Sequence, residues 1–223
     1  MVLDRSGSMA RIKPDTEGGF NEMVAELRKE AAPNTYVTLV QFDTVHETVY
    51  EQKPLDKVPS LTLLPRSGTA LLDGVGIAIR RAEKFVRSGD NVAVTIMTDG
   101  GENSSDEWDK ESVTKLMDEK REEGWEFNFL GAGPQAWDGA RLLGIRNDYV
   151  INYAGDGDSQ HSAFQAAALS NVAKTRGLSS SYASSATALK ADLESAAGSN
   201  VLPDVQINIG ARPRRRGSGK NLK

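Results

Sequence analysis

The sequence predicts an α/β chain: a doubly wound, mostly parallel sheet with helices on both faces, followed by a helical C-terminal extension. Three observations carry this reading. β-rich apolar runs alternate with segments of helical apolar spacing from residue 2 to about residue 154. The run NVAVTIMT over residues 91–98 is apolar almost throughout, as a strand buried on both faces must be. That run delivers Asp99 into a glycine-rich loop, which is how open α/β sheets place functional groups at their carboxyl ends.

The elements follow in order. Val2-Leu3 reads as the end of a buried first strand. A buried parallel strand usually takes about five residues, so a stunted strand, a misplaced start or a missing preceding part each fits this abrupt beginning. Residues 15–32 read as a helix, with Phe20, Met23, Val24, Leu27 and Ala31 on one stripe and Pro33-Asn34 as the stop. Residues 36–42 and 45–51 read as a hairpin whose second strand lies at a sheet edge. A polar, proline-punctuated loop over residues 52–68 leads to a helix from about Ala70, its buried face being Leu71, Val75, Ala78, Ile79, Ala82 and Phe85. Ser104 and Ser105 are placed as caps of a helix running to about Glu123, with Trp108, Val113, Leu116 and Met117 inward. Residues 125–130 and 149–153 read as strands, and residues 134–143 as a short helix between them.

The texture changes after Tyr153. The expected organisation is a sheet domain over residues 1–154 and an Ala/Ser-rich helical extension over 155–198, packing on the domain or on a partner. Residues 199–223 would add a possible strand, VLPDVQINI at 201–209, and a basic tail. Phe164, Ala168 and Val172 mark the first helix of the extension, and Leu178, Tyr182, Ala186, Leu189 and Leu193 the second.

Composition narrows the chemistry. The 223 residues contain no cysteine and only two histidines, His46 and His161. Thiolate zinc sites, cysteine nucleophiles and histidine-rich metal sites therefore have almost no material. No run of about 18 apolar residues offers a membrane span. No signal peptide precedes the first strand, so the expected location is the cytoplasm or an intracellularly assembled particle.

The residues that carry chemistry sit at three sequence-distant turns. Asp4, Ser6 and Ser8 alternate in the turn after strand 1, so their side chains can converge on one point. Thr69 lies where a loop meets a helix N-terminus, and Asp99 ends the strand over residues 91–98. In a doubly wound sheet these turns can share one carboxyl edge. Hard oxygen donors of this kind suit Mg²⁺, Mn²⁺ or Ca²⁺ better than zinc or copper. Asp73 and Glu102, near the same rim, read as capping or solvent-facing carboxylates.

The frame D-x-S-x-S … T … D resembles that of von Willebrand factor A (vWA) domains with a metal-ion-dependent adhesion site. The words around it match as well: VLDRSGSM at residues 2–9, SGTAL at 67–71 and MTDG at 97–100. The likeness covers residues 2 to about 154 and is greatest to the bacterial and bacteriophage branch. It implies a Rossmann-like fold. It also implies Ser6, Ser8 and Thr69 as direct ligands of Mg²⁺, with Asp4 and Asp99 acting through bound waters. The coordination position left open would be filled by an Asp or Glu of a partner protein. The implied function is a non-enzymatic, divalent-metal-dependent protein-binding module.

Other signals carry other readings. Residues 131–136 fit G-x-G-x-x-A, with Asp156 after the next strand; the bland alternative to nucleotide binding is a tight strand-to-helix turn. An aspartyl-phosphate enzyme would want a second carboxylate where Ser6 stands. The surroundings of Ser8 lack a nucleophile elbow, and no general base is evident. Trp108, Trp125 and Trp137 read as packing residues. The cluster Arg212–Arg216 reads either as a solvated end or as a contact for nucleic acid or an acidic partner. Two rival functions follow: a structural subunit of a larger particle, such as a phage component, and a nucleic-acid-associated protein acting through the tail.

Overall fold

The computed structural model describes residues 1–153, 157–178 and 181–182. Its strands are β1 (Val2–Asp4), β2 (Tyr36–Phe42), β3 (His46–Pro54), β4 (Ala93–Thr98), β5 (Glu126–Ala132) and β6 (Val150–Tyr153). They form one sheet in the order β3-β2-β1-β4-β5-β6. All neighbours are parallel except the β2–β3 hairpin, whose second strand lies at the edge. The chain therefore starts in the middle of the sheet and winds outward twice, once to each side.

The helices are α1 (Lys13–Glu30), α2 (Leu71–Ala82), α3 (Lys110–Glu122), α4 (Pro134–Leu142) and α5 (Gly157–Thr175). α1 and α5 bury Phe20, Met23, Leu27, Phe164 and Val172 against one sheet face, together with Leu3, Leu39, Met97 and Leu130. α2, α3 and α4 bury Leu71, Val75, Ile79, Val113, Met117 and Ala140 against the other face, with Val2, Phe42, Ile96 and Phe129. The alternation of strand side chains between faces produces these two layers, and burial of this kind supplies most of the folding drive. The first helix of the predicted extension is thus a core element. It packs so closely on α1 that a Cβ on Gly19 would lie 2.1 Å from Phe164 Cδ2.

Several local expectations are corrected. Ser104 and Ser105 do not cap α3; the helix starts later, at Lys110, behind a capping box of Asp109 and Ser112. Both serines instead give their backbone N–H groups to Glu102. Phe85 lies three residues beyond the end of α2 and is 41 % exposed. β3 runs on to Pro54, three residues past the expected end. Trp125 is buried, whereas Trp108 is half-buried against Gly76 under the Arg80 guanidinium. His46 opens the edge strand, and the exposed His161 pairs with Glu22. Of the residues that mark the second helix of the extension, Leu178 stands in a bend and Tyr182 in a turn, buried with its N–H donated to the Asp148 carbonyl at 2.8 Å; the rest of that helix, the strand over residues 201–209, Asp156 and Arg212–Arg216 lie outside the described residues. Among the described residues no helix is long and apolar enough to cross a membrane.

Candidate metal centre

The carboxyl ends of β1 and β4 lie side by side, since Val2 pairs with Ile96 and Leu3 with Met97. Asp4 and Asp99 therefore leave the sheet as neighbours. The turn after β1 is a one-turn 3₁₀ helix, Gly7–Arg11, which folds Ser8 back over the strand end. Asp4 holds that turn: its Oδ1 accepts the Ser6 N–H at 2.6 Å and its Oδ2 accepts the Thr98 hydroxyl at 2.6 Å. Ser6 Oγ and Ser8 Oγ lie 3.1 Å apart, and Ser8 Oγ donates to Asp99 Oδ1 at 2.6 Å.

The Thr69 loop is brought over by backbone pairing. Arg66 N–H donates to the Arg5 carbonyl at 2.9 Å, and Gly7 N–H to the Ser67 carbonyl at 3.0 Å. Asn103 then clamps Thr69 from the other side, accepting its N–H through Oδ1 at 2.8 Å and donating its own N–H to the Thr69 carbonyl at 3.0 Å. Gly68 is required here, because a Cβ would sit 2.3 Å from Ser104 Oγ. A Cβ placed on Gly100 would meet Thr69 Oγ1 at 3.4 Å and Ser8 Oγ at 3.9 Å, so both hydroxyls border one point beside Asp99. All five residues singled out from the sequence thus gather at one sheet edge.

The electrostatics of this edge are unbalanced. Asp4 is fully buried and Asp99 nearly so. Burial, with a smaller contribution from the Asp99 charge, raises the Asp4 carboxyl to about 6 against the opposing pull of the Thr98 and Ser6 hydrogen bonds. Asp99 Oδ2 is buried and accepts no hydrogen bond. The cation facing it is Arg11, whose largely exposed guanidinium reaches to 3.6 Å. A buried carboxylate oxygen without a partner is costly unless an ion meets it. Among the described residues no three His, Cys, Asp or Glu side chains come together. A cation here would therefore take hydroxyl oxygens beside the two carboxylates, a donor set that fits a hard divalent ion.

Sequence reasoning missed the layer beneath. Asp43, at the end of β2, is wholly buried. Its Oδ2 accepts from Arg5 Nε at 2.7 Å and Arg66 Nε at 2.8 Å, and its Oδ1 from the Val45 N–H at 2.9 Å. Arg5 also pairs with Glu47 through Nη1. Arg5 stands inside the first motif and Arg66 just ahead of the Thr69 loop, so Asp43 ties two of the three turns together. The signal available in the sequence was an Asp directly after the apolar run of β2, the position that Asp4 and Asp99 hold on their strands. The rim carboxylates are structural. Glu102 accepts the Leu72 N–H at 2.9 Å and so caps α2 from outside. Asp73 accepts three successive amides, Asp106 to Trp108. The glycine motif is a strand-to-helix turn, with Gly133 at φ +77° and Pro134 opening α4.

No family model matches the sequence, and no curated protein matches it. Solved structures do. Proximal thread matrix protein 1 from the mussel byssus superposes with a TM-score of 0.54 at 19 % identity, over 73 % of this chain and 42 % of that one. A von Willebrand factor type A structure from Catenulispora acidiphila superposes with a TM-score of 0.51 at 14 % identity, over 76 % and 41 %. The chain thus spans about two fifths of these two solved chains. The architecture they share with it is the vWA fold, a Rossmann-like sheet of mostly parallel strands between helical layers.

Proposed function

We propose that the chain is a divalent-metal-dependent protein-binding module, with Asp4, Ser6, Ser8, Thr69 and Asp99 as its metal site. The observation that carries the reading is the buried Oδ2 of Asp99, which accepts no hydrogen bond and is approached by the exposed Arg11 guanidinium at 3.6 Å, beside three hydroxyls and a second buried carboxylate. Ser6, Ser8 and Thr69 would hold Mg²⁺ directly, and Asp4 and Asp99 would orient hydroxyls and bound waters. Mg²⁺ held mainly by neutral hydroxyls keeps its charge available and offers a coordination position to an Asp or Glu of a partner. The protein's own groups do the rest. Asp4 fixes the Ser6 turn, Asn103 fixes Thr69, and Asp43 locks Arg5 to Arg66 beneath. The reading is non-catalytic, because both carboxylates at the edge would be committed to the ion and, among the described residues, no further His, Asp or Glu joins them in a cluster.

The test is calorimetric titration of Mg²⁺ and Mn²⁺ into the chain and into an Asp4→Ala, Ser6→Ala double variant. Binding to the parent chain that disappears in the variant supports the site; binding that persists unchanged refutes it. An affinity pull-down with and without chelator then separates metal-dependent partners from background.

A further inference from the structure

The cation that reaches the buried Oδ2 of Asp99 comes from the first turn, not from the sheet. Arg11 closes the 3₁₀ helix Gly7–Arg11. Its backbone is fixed from both sides. Met9 and Ile12 are buried in the core, the Met9 N–H donates to the Ser6 carbonyl at 3.1 Å, and the Ile12 N–H donates to the Met9 carbonyl at 3.2 Å. Its side chain is held far less. It is 78 % exposed, against 1 % for that of Asp99, and its Nη2 stops 3.6 Å from Oδ2. That distance is too long for a hydrogen bond, so the contact is one of charge on charge. Lys13, two residues on, pairs instead with Glu17 at 3.7 Å. Among the described residues Arg11 is thus the one cation within ion-pair distance of Asp99.

Resting on the metal reading of this edge, we propose that Arg11 is a tethered counter-ion, which a divalent ion must displace and which therefore lowers the affinity of the site. An ion that draws on Asp99, directly or through water, meets the guanidinium as a like charge at close range. The two cannot share the carboxylate at full strength, so ion binding forfeits the Arg11 contact. Giving it up costs little. No hydrogen bond is broken, and release returns rotamer freedom to a long side chain that already lies mostly in solvent. Linkage makes the exchange reciprocal: what Arg11 contributes to the metal-free chain is subtracted from the affinity for the ion. A guanidinium this exposed contributes as a surface ion pair does, about two- to fivefold in an equilibrium constant. The edge keeps a charge partner when metal is scarce and yields it to an ion as metal rises.

Calorimetric titration of Mg²⁺ and Mn²⁺ into the full chain tests this, together with melting curves in chelator and in saturating Mg²⁺, for the parent, Arg11→Gln, Arg11→Lys and Lys13→Gln. Arg11→Gln is expected to bind Mg²⁺ about two- to fivefold more tightly than the parent, by a margin that shrinks as salt rises. It should melt below the parent in chelator and match it in saturating Mg²⁺. Arg11→Lys keeps the charge and should bind as the parent does. Lys13→Gln removes an equal charge two residues away from a side chain paired elsewhere, and should leave the affinity unchanged. Equal or weaker Mg²⁺ binding by Arg11→Gln overturns the proposal and leaves the metal site standing. So does an equal gain in Lys13→Gln, since that makes the effect one of net charge. Absence of Mg²⁺ and Mn²⁺ binding in the parent and in every variant instead removes the metal reading, and this inference with it.

Discussion

Ser8 Oγ donates a 2.6 Å hydrogen bond to Asp99 Oδ1, joining two turns that are 91 residues apart in sequence. The other oxygen of the same carboxylate is buried without a hydrogen bond. One half of Asp99 thus organises the edge, while the other half accepts no hydrogen bond and is met by the exposed Arg11 guanidinium at 3.6 Å. Asp99→Asn should separate the two roles. It keeps an acceptor for Ser8 and removes a buried charge next to Asp4 that only the exposed Arg11 approaches among the described residues, so the metal-free variant is expected to melt at a higher temperature than the parent, by the equivalent of about 1 kcal/mol. It should also bind Mg²⁺ at least about tenfold more weakly. Melting curves with and without chelator check both; a lower melting temperature in chelator contradicts the charge argument.

Metal should stabilise the parent by mass action. At a concentration of Mg²⁺ about 100 times the dissociation constant, linkage supplies about 2.7 kcal/mol. The melting temperature is expected to climb with the logarithm of Mg²⁺ concentration, and Ser8→Ala should flatten that slope. A parent whose melting temperature ignores Mg²⁺ up to millimolar levels contradicts the metal reading.

Asp43 contributes to the acid limb of stability. Burial alone would raise its carboxyl, but hydrogen bonds from Arg66, the Val45 amide and Arg5 together hold it below the ordinary range. A depressed folded-state value means the stabilisation is fully present above the unfolded value of about 3.9 and is lost as pH falls through the folded value. Asp43→Asn should cost about 3 kcal/mol near neutral pH, because it leaves the Arg5 guanidinium buried with only Glu47 as a charged partner. The variant's stability should also fall less steeply than the parent's below pH 4. Urea denaturation at a series of pH values measures both effects.

Two adjacent glycines in α1 should respond in opposite directions. A Cβ on Gly19 collides with the Phe164 ring, whereas one on Gly18 meets nothing within 4 Å. Gly19→Ala is expected to destabilise by about 2–3 kcal/mol through displacement of Phe164. Gly18→Ala should stabilise by about 0.5–1 kcal/mol through helix propensity. If the two substitutions act alike, the packing of α5 on α1 is not as described.

What the sequence determined by itself was everything that repeats or punctuates locally. Apolar runs of strand type, stripes of helical spacing and Pro or Gly stops placed β2 to the residue and α1, α4, β4, β5 and β6 to within a few residues. The spacing of Asp4, Ser6 and Ser8, with Thr69 and Asp99 in matching frames, named the residues that meet at the sheet edge. The misplaced features are those decided by partners distant in sequence. Ser104 and Ser105 look like helix caps until Glu102, drawn across to the N-terminus of α2, takes their amides. Phe85 continues a helical stripe, yet α2 ends at Ala82 and the side chain is left exposed beside a cavity that Met1 and Val2 also line. Asp43 carries no motif, and it becomes the tie between Arg5 and Arg66 only once β1 and β2 lie in register. Local pattern sets backbone conformation and the face a side chain takes. Which charges are stranded and which are paired depends on what the sheet brings beside them, and that is settled only when the strands assemble.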